Sequence, residues 1–182
     1  MVISLPDDSG AELQFIRMAL GWDPVRRRGF GMRDRDIDLN ASALVFAADR
    51  IMDVVYHEQL ISRDGAVRHL GDSTTGEGKG DNEVITVDLT RLSEQATSMI
   101  FLVTSYSGQP FGQIDNAFCR MVDGASDTEI ARYDLSAHGE NTGMVMGRVL
   151  RTSGGWQFES ICEGIRAQHP VEAVPQLAAF LA

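Results

Sequence analysis

An acidic, glycine-rich segment at residues 71–83, with the sequence GDSTTGEGKGDNE, has the clearest potential for chemistry in this chain. Four carboxylates stand there against one lysine, and four glycines allow the backbone to turn sharply. Calcium takes about six to eight oxygen ligands, and a loop of this composition supplies them. The segment therefore predicts a hard-cation site, although an acidic loop in contact with solvent is the simpler interpretation. The carboxylates are Asp72, Glu77, Asp81 and Glu83.

A second set of oxygen ligands lies upstream, in the clearest alternating segment of the sequence. Apolar side chains occupy every second position of residues 37–45, as in a strand with one buried face. Asp38 and Asn40 fall between them and share the opposite face of that strand. A solvated strand face more often carries Lys or Glu, so this pair favours the hard-cation interpretation of the acidic segment.

Other metal and catalytic motifs do not match the sequence. The acidic segment departs from the EF-hand spacing, because its sixth position counted from Asp72 is Glu77 rather than glycine. His57-Glu58 begins like a zinc-protease motif, but Ile61 stands where the second histidine is needed. The four histidines are scattered and no CxxC pair occurs, which argues against zinc. No G-x-S-x-G elbow is present, so the sequence predicts no hydrolase and no enzyme of a recognised type.

The composition of the chain limits the classes of partner that the protein can bind. The 182 residues carry 26 acidic and 16 basic side chains, a net charge of −10. That balance argues against nucleic acid and against an anionic membrane surface, and no run of about 18 apolar residues predicts membrane insertion. The start of the chain lacks the basic and apolar regions of a secretory leader. With Cys119 and Cys162 expected to be buried and reduced, we expect a cytoplasmic protein.

The elements that must position these residues are short strands. Turn-punctuated segments predict an all-β fold, a β-sandwich of two mostly antiparallel sheets with one or two short helices. We expect a single domain over residues 1–182, a hairpin turn at Asp64-Gly65, an exposed basic loop over 24–35, and short helical segments at 90–96 and 175–181. The predicted strands are 13–20, 37–45, 52–56, 84–89, 99–103, 117–122, 129–135, 143–150 and 156–161.

Five motifs in order resemble one known family. They are LGWD at 20–23, IDLNAS at 37–42, the segment 71–85, FGQIDNAF at 111–118 and EIARYDLS at 129–136. Together they resemble the TerD-domain proteins of tellurium resistance and stress response, over about residues 13–160. The segment 71–85 is the most specific of the five, because it follows the family pattern G-D-[NS]-x-T-G-E-G-x-G-D-[DN]-E-x-I.

The resemblance implies a function as well as a fold. It implies a β-sandwich that binds a pair of calcium ions in a shared acidic cluster and has no catalytic activity. Carried over position by position, the implied metal ligands are Asp23, Asp38, Asn40, Asp72, Glu77, Asp81, Asn82 and Glu83.

Three positions depart from the family pattern. Asn40, Lys79 and Asn82 stand where the family usually has aspartate, which removes four units of negative charge from the site. Calcium affinity depends on ligand charge, so weaker binding or the loss of one site is expected. Lys79 has two interpretations: its ammonium replaces an ion among the carboxylates, or it points into solvent.

Two functions from different classes follow. The first is a calcium-binding module that works with other proteins of a bacterial stress-response assembly. The second is a metal-poor scaffold that acts through protein contacts alone. A binder of nucleotides or other small ligands is a more distant alternative.

Overall fold

Two five-stranded antiparallel sheets face each other in the computed structural model, which describes residues 12–25 and 35–182. One sheet has the strand order β4-β5-β1-β7-β8 and the other β10-β9-β6-β2-β3. The predicted β-sandwich is confirmed. Its strands in this part of the chain are β1 (Phe15–Gly21), β2 (Leu39–Ala47), β3 (Arg50–Val55), β4 (Val67–His69), β5 (Glu83–Asp88), β6 (Ser98–Ser105), β7 (Phe118–Asp123), β8 (Thr128–Asp134), β9 (Gly143–Thr152) and β10 (Gly155–Ile165).

The alternation of β2 separates two hydrophobic clusters. Ala41, Ala43 and Val45 belong to the main core, together with residues of the opposite sheet such as Leu20 and Ile85. Leu44 and Phe46, which alternate with them, belong to a second cluster on the outer face of the same sheet. The sheet that contains β2 is therefore apolar on both faces, which explains why all eight residues of β6 are buried.

The C-terminal segment covers that outer face. The second cluster includes Ile165, Ala167, Ala173 and Leu177. Residues from 165 onward therefore cover this face of the sheet. The segment contains helix α1 (Pro170–Ala173) followed by a 3-10 helix (Val174–Phe180).

The predicted helical segments are present with different boundaries. The C-terminal one begins at Pro170 rather than Pro175, because His169 accepts the N–H of Val171 and so caps a helix with proline in its first turn. The segment predicted at 90–96 is reduced to the 3-10 helix Leu89–Arg91, which Asp88 caps.

One predicted turn and part of one predicted loop lie among the described residues. The turn at Asp64-Gly65 is present: Gly65 has a φ of +73°, and its N–H donates to the carbonyl of Ser62. Most of the predicted basic loop over 24–35 lies outside the described residues. No helix in the described ranges is long and apolar enough to cross a membrane.

Candidate metal centre

Three carboxylates from three separate segments meet at one end of the sandwich. Asp38 precedes β2, Asp72 follows β4, and Glu83 is the first residue of β5. One carboxylate oxygen from each lies within 4.8 Å of the others. Carboxylates this close repel one another unless they bind protons or a cation.

Strand register places Glu83 inside the sandwich. Glu83 pairs with Leu20 of β1 and is only 1% exposed. Strand β3 pairs with β2 only from Ala43 onward, so the N–H of Ala41 donates instead to Glu83 Oε2 at 2.9 Å. The N–H of Ser73 donates to Glu83 Oε1 at 3.2 Å. Backbone amides from both sides of the site therefore hold this carboxylate in position.

His69 gives Glu83 a further contact that no sequence motif indicated. The Nδ1 atom of His69 accepts the N–H of Gly71 at 3.2 Å, which leaves the ring proton on Nε2. That Nε2 atom lies 3.2 Å from Glu83 Oε2, and both side chains are completely buried. A histidine two residues before the glycine that opens the acidic segment was the available signal.

The environment of the cluster disfavours negative charge. Burial raises the pKa of Glu83 to about 7, despite the hydrogen bonds from His69 and Ala41 that oppose the shift. Burial also raises the pKa of Asp38 to about 6, with repulsion from Asp72 as the second cause. A bound cation favours the charged forms of all three groups. When the three carboxylates are ionised, the surrounding protein groups do not neutralise their negative charge.

Asn40 lies next to Asp38, one member of this cluster. Its Nδ2 donates to Asp38 Oδ1 at 3.3 Å, and the residue is 1% exposed. Its Oδ1 is buried and has no hydrogen-bond partner among the residues described. Buried carbonyl oxygens are almost always paired, and amide oxygens are common calcium ligands. The three carboxylates fit a hard cation, and the unpaired amide oxygen of the neighbouring Asn40 is of the same ligand type.

The side chain of Asn82 forms hydrogen bonds that hold the acidic loop. Its Oδ1 accepts the N–H of Trp22 at 2.9 Å, and its Nδ2 donates to the carbonyls of Gly76 and Glu77 at 3.2 Å each. This side chain closes the acidic loop onto Trp22. Gly76 is required there, because its φ is +74° and a Cβ atom would lie 2.3 Å from the Trp22 indole nitrogen.

The other predicted carboxylate ligands do not belong to this group of described residues within 4.8 Å. Asp81 forms a two-bond ion pair with Arg120 of β7, with distances of 3.0 and 2.7 Å. Asp23 Oδ2 accepts the amide of Asn116 at 2.6 Å. Glu77 is exposed at the tip of the loop. Four of the eight predicted metal ligands therefore lie at or next to the cluster, and the other four make different contacts. The full ligand set stays a prediction.

Lys79 lies on the exposed part of the loop. It forms no ion pair with a carboxylate of residues 12–25 or 35–182, at separations up to 4.0 Å. This geometry favours the interpretation in which Lys79 points into solvent.

Comparisons with known proteins find relatives of this chain in sequence and in fold. The sequence model of the TerD domain matches residues 2–170. The chain is 40% identical to the tellurium resistance protein TerZ of Serratia marcescens over 172 residues, covering 91% of this chain and 88% of that protein. It is 33% identical to the stress response protein SCP2 of Bacillus subtilis, covering 85% and 84%. A crystal structure of a homologue of the telluride resistance protein TerD from Streptomyces coelicolor superimposes with a TM-score of 0.80 at 24% identity, covering 91% and 98%, and shows the same fold.

Proposed function

Because the chain belongs to the TerD domain family, we propose that it is a non-catalytic, calcium-binding module of the tellurium-resistance and stress-response type. The observation that carries the calcium part is the meeting of Asp38, Asp72 and Glu83 within 4.8 Å. The names of the relatives support a role in tellurium resistance or stress response. We place the protein in the bacterial cytoplasm, where Cys119 and Cys162 stay free thiols.

In this proposal the ion joins the two sheets. Asp38 leads into β2 of one sheet, whereas Glu83 opens β5 of the other. Both would bind calcium through carboxylate oxygens, with Asp72 from the intervening loop and Asn40 through its amide oxygen. When bound, calcium supplies the positive charge that this cluster lacks. The amides of Ala41 and Ser73 hold Glu83 ready for this role.

We propose one calcium ion rather than the pair that the family resemblance implies. Arg120 already neutralises Asp81, and Asn82 uses its side chain to close the loop. Lys79 adds a positive charge to the same loop. The residues left for an ion are those of the single cluster around Glu83, which suffice for one hard cation with backbone or water oxygens completing the coordination.

Calorimetric titration of the metal-free protein with calcium tests the proposal. We expect one site, and we expect Asp72→Asn to abolish or strongly weaken it. Glu94→Gln is the matched control, because it removes the same charge from an exposed position far along the chain from the acidic segment. Binding to the wild type that Asp72→Asn leaves unchanged would contradict the assignment of the site.

We also propose that exposed apolar side chains around β4 contact a protein partner. Leu60, Ile61 and Leu70 are 42%, 52% and 64% exposed and flank β4, whose outer edge is hydrogen-bonded to residues 60–62. A group of exposed apolar side chains suits contacts with another protein. If the chain is a scaffold that does not need calcium, Leu70→Ser should reduce tellurite survival of a complemented bacterial strain, whereas Asp72→Asn should not. If calcium is required, both variants should reduce survival.

A further inference from the structure

A second group of potential metal ligands lies away from the acidic loop. The imidazole centroids of His57 and His169 are 5.9 Å apart, although the two residues are distant in sequence. Glu58 Oε2 lies 3.7 Å from His169 Nε2. One ligand atom from each of the three residues lies within 4.8 Å of the others. We call these three residues the histidine cluster.

The fold, rather than local sequence, creates this cluster. His57 and Glu58 form a tight turn after β3, closed by hydrogen bonds of 3.1 and 3.0 Å between the backbones of Tyr56 and Gln59. His169 comes from the C-terminal segment, whose apolar side chains pack on the outer face of the sheet. The sequence argued against zinc because the histidines are scattered, but the docked C-terminal segment brings two of the four together.

Aromatic side chains surround the two imidazoles. The Tyr56 ring lies edge-on to His57 at 5.2 Å and to His169 at 5.4 Å, and the Tyr106 ring lies 5.4 Å from His57. The Tyr56 hydroxyl donates to Glu58 Oε2 at 2.9 Å, which orients that carboxylate. Hydrogen bonds of this kind to a ligand side chain are typical of metal sites, where they fix its orientation.

His57 carries a buried nitrogen without a partner. Its Nδ1 is inaccessible to solvent and forms no hydrogen bond in the part of the chain that the structure describes. Buried polar atoms are nearly always paired, so an unpaired nitrogen on an imidazole that lies against a second imidazole calls for a ligand.

We propose that His57, Glu58 and His169 bind one divalent transition-metal ion of the zinc class. Two imidazoles and one carboxylate form a three-ligand zinc set that leaves the fourth position open. Imidazole nitrogen prefers such ions to calcium, so this site and the acidic cluster select different metals.

The distances permit this ion. Tetrahedral zinc with bonds of about 2.0–2.1 Å places its ligand atoms about 3.3 Å apart. The 3.7 Å between Glu58 and His169 is close to that value, and the Glu58 side chain is 60% exposed, so it can move. A shift of a few tenths of an ångström closes this gap, and the ligand atom of His57 lies within 4.8 Å of the other two.

Metal binding at His169 has a structural consequence. Its Nδ1 accepts the N–H of Val171 at 3.1 Å, so the neutral ring carries its proton on Nε2. A metal ion on Nε2 moves that proton to Nδ1, and the hydrogen bond from Val171 is then lost. The Val171 amide therefore reports on occupancy of this site.

Zinc titration of the calcium-saturated protein tests the proposal. We expect one zinc site in the wild type. His57→Phe keeps an aromatic ring, and His169→Asn keeps a side-chain acceptor for the Val171 amide, so both variants should fold. Each should weaken zinc binding by about tenfold or more. His138→Asn is the matched control: this histidine contacts Cys162 instead, and zinc binding should not change.

An amide spectrum of the labelled wild-type protein gives a second readout. We expect the Val171 amide to shift in proportion to added zinc and to stay unchanged with calcium alone. The proposal is overturned if the wild type binds no zinc, if either cluster variant binds zinc as tightly as the wild type, or if His138→Asn removes binding. Asp72→Asn should retain the zinc site, so failure of this proposal and failure of the calcium proposal are distinguishable.

Discussion

Asp81 and Glu83 lie two residues apart in the same loop and have opposite surroundings. Asp81 is partly exposed and makes a two-bond ion pair with Arg120 on the face of β7 that points away from the core. Glu83 is buried on the inner face, where a histidine, two backbone amides and Asp72 surround it. One carboxylate is compensated by a cation of the chain, whereas the other is not.

This difference separates structural acids from acids that are available to a ligand. The ion pair with Asp81 and Glu129 raises the pKa of Arg120, so this group of charges is stable without any added ion. Burial raises the pKa of Glu83, so its charged form needs a further positive charge. A count of acidic residues in the loop would treat the two as equivalent, and the structure shows that they are not.

Replacing Glu83 should have the largest effect. Glu83→Ala leaves the amides of Ala41 and Ser73 and the His69 ring without their acceptor, at a cost of about 2–4 kcal/mol of unfolding free energy. Asp81→Ala removes only a partly exposed ion pair and should cost about 1 kcal/mol or less. Urea denaturation of both variants without metal measures the comparison.

The two variants should also differ in their response to calcium. We expect Glu83→Ala and the milder Glu83→Gln to lose stabilisation by calcium, whereas Asp81→Ala keeps it. Equal losses of stability and of calcium response in the Asp81 and Glu83 variants would show that the two acids are equivalent, against the structure.

The pH dependence of the metal-free protein should be the next largest effect. The folded pKa values of Asp38 and Glu83 are raised to about 6 and about 7, so the folded state holds more protons than the unfolded state. Their protonation stabilises the fold fully below about pH 4, and this contribution is lost as the pH rises through about 6 to 7. The shift of Glu83 alone corresponds to a loss of about 3 kcal/mol, and the partly exposed Asp38 adds a smaller, screened contribution.

Thermal or urea unfolding across that pH range measures this loss. Because other groups titrate as well, the informative quantity is the difference between the wild type and Glu83→Gln, which does not titrate at this position. The variant should show a flatter dependence than the wild type, and calcium should stabilise the wild type more at neutral pH than at pH near 5. Parallel curves for the two proteins would contradict the raised pKa of Glu83.

The fold was largely predictable because its signals are local. Alternation in residues 37–45 and the apolar run at 99–103 each encode a strand through side-chain period alone, and both strands are present. The Asp64-Gly65 turn follows from the positive φ that glycine adopts easily. The helix boundary at Pro170 was missed, because it depends on the cap from His169 and on packing against the distant residues of β6.

The site was less predictable because its decisive contacts are not local. The motif indicates which acids belong to the region, but Arg120 comes from β7 and reaches Asp81 only through the register of β1 with its two neighbours. His69 enters through the pairing of β4 with β5. Sequence spacing likewise gave no sign that the C-terminal segment would place His169 beside His57.

Removing Arg120 should have a smaller effect that sharpens the contrast. Arg120→Met keeps most of the aliphatic stem and leaves Asp81 without its two-bond partner, which should cost about 1 kcal/mol of stability. The added negative charge near the loop should raise calcium affinity by a few-fold. A double-mutant cycle with Asp81→Asn measures the coupling, and independent effects of the two substitutions would show that the ion pair contributes nothing.

The smallest expected effect belongs to Lys79. If its ammonium replaced an ion among the carboxylates, Lys79→Asp would strongly destabilise the metal-free protein by adding a like charge to the cluster. The exposed position of Lys79 and the absence of an ion pair with a described carboxylate predict instead a change in unfolding free energy within about 0.5 kcal/mol. Lys79→Ala is the matched control, because it removes the same ammonium without adding a carboxylate. Melting curves of both variants without metal measure these effects. A loss of stability well above about 0.5 kcal/mol in both variants would show that the Lys79 ammonium replaces an ion. A loss in Lys79→Asp alone would show only that an added carboxylate is repelled.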